Sequence, residues 1–294
     1  MKNYKICFII NPVAGGRDKH LLRERLLREF EKDDIRVEAF FTEYQGHASV
    51  IATEQYEKGA EIIVAVGGDG TINEIAKTLI DKEVKLAVIP FGSGNGFARH
   101  FGLPLGFAGA VEVLKKGCSK KIDIGMVNGK PFFCTSGLGF DAETGYQFSH
   151  FGKRGFFSYA FSFIRVFKLY KSVNYTLYFN NEKIERNAFF INVANISQLG
   201  YNFKIAPDAS ADDGHLDLVI VNKFPKWKGL IMAFQSFLGN IHRNPYVEYH
   251  KIRKIKIEIP TENNRIHIDG EPEQAGPEIN YSVKPLCLNV ILPG

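Results

Sequence analysis

The sequence predicts an α/β first domain built on a parallel sheet, followed by a β-rich, sandwich-like second domain. Three observations lead there. Up to Asp123, short and almost wholly apolar runs alternate with helix-spaced segments, the rhythm of βαβ units. Three of those runs end in glycine-rich turns, and such turns, at the strands' carboxyl ends, are where open α/β sheets bind ligands. Beyond Asp123 the pattern becomes short strands separated by Gly, Asn and Asp turns.

Taken in order, Lys5-Ile6-Cys7-Phe8-Ile9-Ile10 reads as a strand buried on both faces and ends in Asn11-Pro12-Val13-Ala14-Gly15-Gly16. Leu21, Leu22, Leu26, Leu27 and Phe30 then recur at helical spacing. Ile35 to Phe41 returns as a strand, and Thr42 to His47 turns into a helix carrying Ile51. The next run, Ile62-Ile63-Val64-Ala65-Val66, precedes Gly67-Gly68-Asp69-Gly70-Thr71-Ile72-Asn73-Glu74. Here glycine allows close backbone approach to a ligand, and Thr71 with Glu74 forms the S/T-x-x-E spacing of a capping box, placing a helix start at Thr71. Strand, glycine turn and helix N-terminus make an anion site. A carboxylate at Asp69 suits that site only if a divalent cation lies between it and a phosphate; otherwise it bonds nearby amides in a capped turn. Val84 to Ile89 then leads into the third glycine turn, Pro90-Phe91-Gly92-Ser93-Gly94-Asn95-Gly96.

In the second half, residues 122–127, Pro131 to Cys134, Val173 to Phe179, Ala188 to Ala194, Leu216 to Val221, Lys254 to Ile259, Arg265 to Ile268 and Leu286 to Ile291 read as strands. Helices are expected over Phe156 to Tyr170 and Lys226 to Leu238. The boundary falls near Asp123 to Gly129, giving domains 1–125 and 126–294, and the pattern leaves open whether the last strand returns to the first domain.

At 294 residues, with 45% hydrophobic and 23% charged side chains, the chain is of ordinary globular composition. A net charge of +5 permits attraction to anionic surfaces and is too small to imply a nucleic-acid partner. Cys7, Cys118, Cys134 and Cys287 are scattered without zinc spacing, as suits a reducing compartment. With neither a signal-type nor a membrane-spanning apolar stretch, a cytoplasmic location is expected. No G-x-x-x-x-G-K-[ST] and no G-x-G-x-x-G opening the first helix is found, which removes P-loop and most dinucleotide-dehydrogenase readings.

Together, Asn11-Pro12 with Ala14-Gly15-Gly16, Gly67 to Thr71 with Asn73-Glu74, Pro90 with Gly92 to Asn95, Ser136-Gly137-Leu138-Gly139-Phe140-Asp141, Ala206-Pro207 with Asp213-Gly214, and Asp269-Gly270-Glu271 resemble the catalytic region of diacylglycerol kinase and sphingosine kinase-type lipid kinases. The resemblance spans nearly the whole chain and implies an ATP-dependent lipid kinase whose active site lies in a cleft between the domains. It implies that Asn11, Gly15, Gly16, Thr42, Gly67, Gly68, Asp69, Gly70, Thr71, Asn73 and Ser93 line the ATP site. It also implies a structural Mg²⁺ at Asp213, with the carbonyls of Ser210 and His215. The turn Asp208 to Gly214 is rich in oxygen ligands, as Mg²⁺ requires; a metal-free acidic turn is the alternative.

Glu271 is the candidate general base, with Asp269 as neighbour and reserve and Asp69 as a further catalytic carboxylate. Phosphoryl transfer needs a group to accept the hydroxyl proton. Asp-Gly is equally a hairpin-turn signal. Bacterial diacylglycerol kinases usually carry an aspartate where this chain has Gly96, and the Ser-Gly-Asn-Gly form is closer to the sphingosine and ceramide kinase branch. The substrate is therefore expected to be diacylglycerol, a sphingoid base or a related lipid alcohol. Phe224-Pro225-Lys226-Trp227-Lys228-Gly229-Leu230-Ile231 and residues 148–157 mix aromatic and basic side chains as an interfacial segment does, so transient peripheral membrane contact is expected; packing of those aromatics inside the second domain is the alternative. A homodimer is compatible with the sequence. The rival functions are an NAD kinase-like enzyme for a soluble metabolite and a catalytically silent nucleotide-binding module.

Overall fold

The computed structural model describes residues 5–16, 20–30, 35–150, 165–259 and 264–294. Its contacts separate into two units, Met1–Ile122 with Leu286–Gly294, and Asp123–Pro285.

In the first unit, β1 (Lys5–Ile10), β2 (Arg36–Phe41), β3 (Ile62–Gly67) and β4 (Lys85–Pro90) alternate with α1 (His20–Phe30), α2 (His47–Glu57), α3 (Asp69–Leu79), α4 (Gly96–His100) and α5 (Phe107–Lys116). The strands are all parallel, in the order β4-β3-β1-β2. Asn289 and Val290, near the chain's end, pair in parallel with Lys85 and Leu86 of β4. Each central strand is apolar at nearly every position because both faces are covered, as parallel sheets require. Phe8, Ile10, Val64, Val66 and Ile89 pack against Leu22, Leu26 and Phe30 of α1 and Leu114 of α5. Leu21, expected on the buried stripe, is exposed.

The second unit contains β5 (Cys118–Val127, entered from the first), β6 (Lys130–Phe132), β7 (Thr135–Gly139), α6 (Phe140–His150), β8 (Val173–Phe179), β9 (Glu182–Ala194), β10 (Gln198–Gly200), β11 (Phe203–Lys204) and β12 (Leu216–Asn222). After these come α7 (Gly229–Leu238), β13 (Val247–Ile252), β14 (Lys254–Glu258), β15 (Arg265–Ile268), β16 (Glu271–Gln274) and β17 (Glu278–Leu292), whose last residues belong to the first unit. Strands β7, β8, β9, β12, β13, β14, β15, β16 and β17 pair antiparallel in this unit. The first half of β9 pairs with β8, and the second half lies between β7 and β12. Along β12, Leu216, Leu218 and Ile220 enter one apolar core while Val219 and Val221 enter another. That two-sided burial explains why the strand reads as a continuous hydrophobic run.

Most of the expected helix at Phe156 to Tyr170 and of the aromatic-basic segment at 148–157 lies outside the described residues; residues 165–169 are helical. No helix among the described residues is long and apolar enough to cross a membrane.

Candidate active site

The three glycine loops at the carboxyl ends of β1, β3 and β4 are bound to one another through backbone and short polar groups. The Asn11 amide donates to Val66 O at 3.0 Å, and the Asn11 side-chain amide donates to Thr71 Oγ1 at 3.1 Å. Phe91 N–H donates to Gly67 O at 2.7 Å. Gly15, at φ 65°, lies so close to the third loop that a Cβ would sit 2.0 Å from Phe91 O. A Cβ on Gly92 would lie 2.6 Å from both Gly68 Cα and Asn95 Oδ1. These loops therefore need glycine for contact with each other as well as for any ligand. Thr42, at the end of β2, donates its backbone amide to Ile10 O at 2.9 Å, which brings that loop to the same sheet edge. Ser93 is exposed, and Asn73 is half-buried in the first turns of α3.

The capping box expected at Thr71 and Glu74 is not formed. Helix α3 starts at Asp69, with Gly68 as its N-cap and no side chain capping it. Glu74 instead accepts from the backbone amides of Gly46 at 2.9 Å and Ala48 at 3.2 Å, so it caps α2. A carboxylate at a neighbouring helix's N-terminus meets two orphan donors and the dipole there, which outcompetes a reach back along its own helix. In the first turn of α3 the Thr71 and Ile72 amides return to Gly68 O at 3.0 and 3.1 Å, and no side chain caps the amides of Asp69 and Gly70 among the described residues. Gly70 is exposed, and a Cβ there would meet nothing within 4 Å.

Asp69 is half-buried, and its two carboxylate oxygens accept from the amides of Gly96 at 3.0 Å and Phe97 at 3.1 Å. It thus holds the start of α4 and with it the third loop. Gly96 is buried and contributes its amide to this bond. Sequence reading missed Arg99, whose Nε donates to Gly94 O at 3.1 Å and sets a guanidinium against the third loop. Nothing beyond its charge and its place four residues after Asn95 marked it.

In the second unit, Asp269 and Gly270 form the two-residue turn between β15 and β16 at φ 50° and 87°, the left-handed pair that Asp-Gly favours. The Asp269 carboxylate accepts three backbone amides, from Phe133 at 2.9 Å, Cys134 at 2.7 Å and Thr135 at 3.1 Å. Glu271, two residues on, is exposed, and its carboxylate has no hydrogen bond or ion pair among the described residues. Behind the turn, Asp141 Oδ2 accepts from the side-chain amide of Asn192 at 2.9 Å and pairs with His267 Nε2 at 2.7 Å. Burial pushes the Asp141 carboxyl up, but the imidazole and the Asn192 amide outweigh it and hold the acid below its usual range. Burial likewise lowers His267, and the Asp141 charge more than reverses this. Gly270 N–H lies 3.3 Å from His267 Nδ1, so this pair braces the turn that presents Glu271.

At the expected magnesium site the Asp213 carboxylate is already engaged. Asp213 Oδ1 accepts from His215 N–H at 2.9 Å, and Oδ2 is paired with the Lys251 ammonium. Ser210 Oγ donates to Asp212. The positive charge beside Asp213 is therefore a lysine. Among the described residues no group of three His, Cys, Asp or Glu side chains could hold a metal.

The chain matches the family described as the diacylglycerol kinase catalytic domain over residues 5–127. Residues 135–292 match the YegS C-terminal NAD kinase beta sandwich-like domain. A diacylglycerol kinase of Staphylococcus haemolyticus (strain JCSC1435) is 32% identical over 273 residues, covering 90% of this chain and 81% of that protein. One from Staphylococcus aureus (strain JH9) is also 32% identical, covering 90% and 84%. Among solved structures, a diacylglycerol kinase from Bacillus anthracis str. Sterne superimposes with a TM-score of 0.76 at 24% identity, over 99% of this chain and 98% of that one. Yeast NADH kinase complexed with NADH does so at 0.58 with 11% identity, over 100% and 84%, a likeness of fold.

Proposed function

The chain belongs to the diacylglycerol kinase family and is a kinase for a lipid alcohol, and on that premise we propose the identity of its donor, its acceptor and its catalytic groups. It transfers the γ-phosphoryl group of ATP to the hydroxyl of diacylglycerol, a sphingoid base or a related lipid. The reading rests chiefly on three interlocked glycine loops at the carboxyl ends of parallel strands, with the N-terminus of α3 uncapped by any side chain. Backbone amides and a helix dipole directed at one point suit a polyphosphate. Asn11, Gly15, Gly16, Thr42, Gly67, Gly68, Gly70, Thr71, Asn73 and Ser93 form this nucleotide site, with Asp69 maintaining its third wall.

Glu271 is the general base. The acceptor oxygen attacks the γ-phosphorus while the bond to the β-bridging oxygen breaks; the hydroxyl proton passes to the Glu271 carboxylate and ADP departs with the bonding pair. Asp269, bonded to three amides, is the anchor of the turn rather than a second base. Mg²⁺ bound with the nucleotide neutralises phosphate charge; Asp213 holds a structural ion only if Lys251 withdraws. The two domains have separate tasks, nucleotide binding in the first and lipid acceptance in the second, and the enzyme meets the membrane peripherally and transiently.

Glu271→Gln tests this assignment, because it keeps size and removes basicity. The substitution is expected to leave nucleotide affinity within about twofold and lower turnover by ~10²–10⁴-fold. Near wild-type turnover in the variant would remove Glu271 from the mechanism.

A further inference from the structure

Helix α7 is amphipathic in the inverse sense: its apolar stripe faces out. Leu230 is 82% exposed, Phe234 64% and Leu238 59%, with Ile231 and Phe237 about half-exposed beside them. Trp227, in the turn just before the helix, is 68% exposed. These positions recur at three- and four-residue intervals, so they share one face. The helix is fastened to the unit by its other side, through buried Met232 and Ser236; at the margin of the stripe Phe237 meets Phe203 edge-on at 5.3 Å between centroids. Isolated exposed apolar side chains are commonplace, but a contiguous stripe of six marks a docking surface.

Charge decides what docks. From Asn222 to Val247 the sequence contains no aspartate or glutamate, while it contributes Lys223, Lys226, Lys228 and Arg243. Lys223, Lys226 and Arg243 are exposed, and Lys228 lies 5.4 Å from the Trp227 ring centroid. Phe224, the other aromatic of this segment, is packed among Phe167, Phe189 and Tyr246 in the core. The segment therefore divides into an anchored end and a presented end. The segment's own charges are all cationic, which disfavours a second copy of itself and complements an anionic bilayer surface.

We propose that α7 with Trp227 is the element that docks this protein on anionic membranes, lying in the interface plane with Trp227, Leu230, Phe234 and Leu238 among the acyl chains and the lysines at headgroup level. The proposal rests on the lipid-kinase reading for its biological sense, yet its test needs no turnover. Failure of docking and failure of phosphoryl transfer are thus read separately.

Trp227 is the chain's single tryptophan, so its emission reports this surface alone. The full chain is titrated with vesicles of phosphatidylcholine containing phosphatidylglycerol, and with phosphatidylcholine alone. A blue shift with protection from an aqueous quencher is expected with the anionic vesicles, weakening as salt is raised. Phe234→Asp, exposed and so compatible with folding, is expected to weaken binding about tenfold or more. Lys223→Gln with Lys226→Gln is expected to weaken it about thirtyfold at low salt. Circular dichroism and the melting temperature verify that the variants fold. Unshifted emission with anionic vesicles, or equal binding to both vesicle types, would overturn the proposal. So would a dimer in free solution that Phe234→Asp converts to a monomer, which would assign the stripe to a second copy.

Discussion

Replacing Asp269 by asparagine separates the anchor of the β15–β16 turn from the base it presents. Asparagine tolerates the left-handed conformation at φ 50°, so the turn itself is not strained. The carboxylate, however, accepts amides from Phe133, Cys134 and Thr135 at 2.7–3.1 Å, and an amide side chain keeps one oxygen in place of two. One of the three bonds becomes a donor facing a donor, and the others lose their charge assistance. Hydrogen bonds to charged groups contribute about 1.5–3 kcal/mol each and neutral ones roughly half that. For a half-buried group, the expected destabilisation is about 2–3 kcal/mol. Glu271→Gln, at an exposed and unbonded side chain, is expected to change stability by less than about 0.5 kcal/mol. Urea unfolding followed by circular dichroism measures both, and single-turnover assays at a temperature where both variants are folded measure the chemistry. Asp269→Asn should retain a substantial fraction of the chemical rate once folded, whereas Glu271→Gln should not. An Asp269→Asn variant as stable as wild type and as inactive as Glu271→Gln would refute this division of roles and make Asp269 the proton acceptor.

Gly92→Ala places a Cβ 2.6 Å from Gly68 Cα; it should part the second and third loops and lower ATP affinity by about tenfold or more, and calorimetry showing unchanged affinity would contradict the interlocked loops. The Asp141–His267 pair gives a pH signature. A raised His267 stabilises the fold fully below the ordinary histidine value and loses this as pH rises through its folded value, whereas a lowered Asp141 stabilises above the ordinary carboxylate value and loses this as pH falls. The melting-temperature deficit of His267→Gln should therefore be largest at about pH 4–6.5 and shrink as pH rises through the raised folded value; a deficit independent of pH would mean that only packing was lost.

Much of the first unit was legible because parallel strands buried on both faces announce themselves as apolar runs, and glycine turns punctuate them. The Asp269–Gly270 turn was equally local, since two left-handed residues leave little other choice of sequence. Tertiary choices were not legible. The spacing of Thr71 and Glu74 promised a local cap, but Glu74 serves a helix 26 to 28 residues away. Asp69 likewise spans to Gly96 and Phe97, and no sequence period encodes such a bond. Helix α6 went unread because Phe140-Asp141-Ala142-Glu143-Thr144-Gly145 has no apolar stripe and contains a glycine. Strand β16, Glu271-Pro272-Glu273-Gln274, is too polar to signal a strand and forms as the partner of β15. For α7 the periodicity located the helix but not its facing, because an apolar stripe looks the same in sequence whether it meets a core or a membrane.

The account as a whole is tested most directly by incubating the purified chain with γ-labelled ATP, Mg²⁺ and separate acceptors: dispersed diacylglycerol, a sphingoid base and NAD. The predicted result is label carried into the organic phase by one of the two lipids, lost with Glu271→Gln and absent from NAD. Label appearing on NAD, or on no acceptor while ATP remains bound, would contradict it.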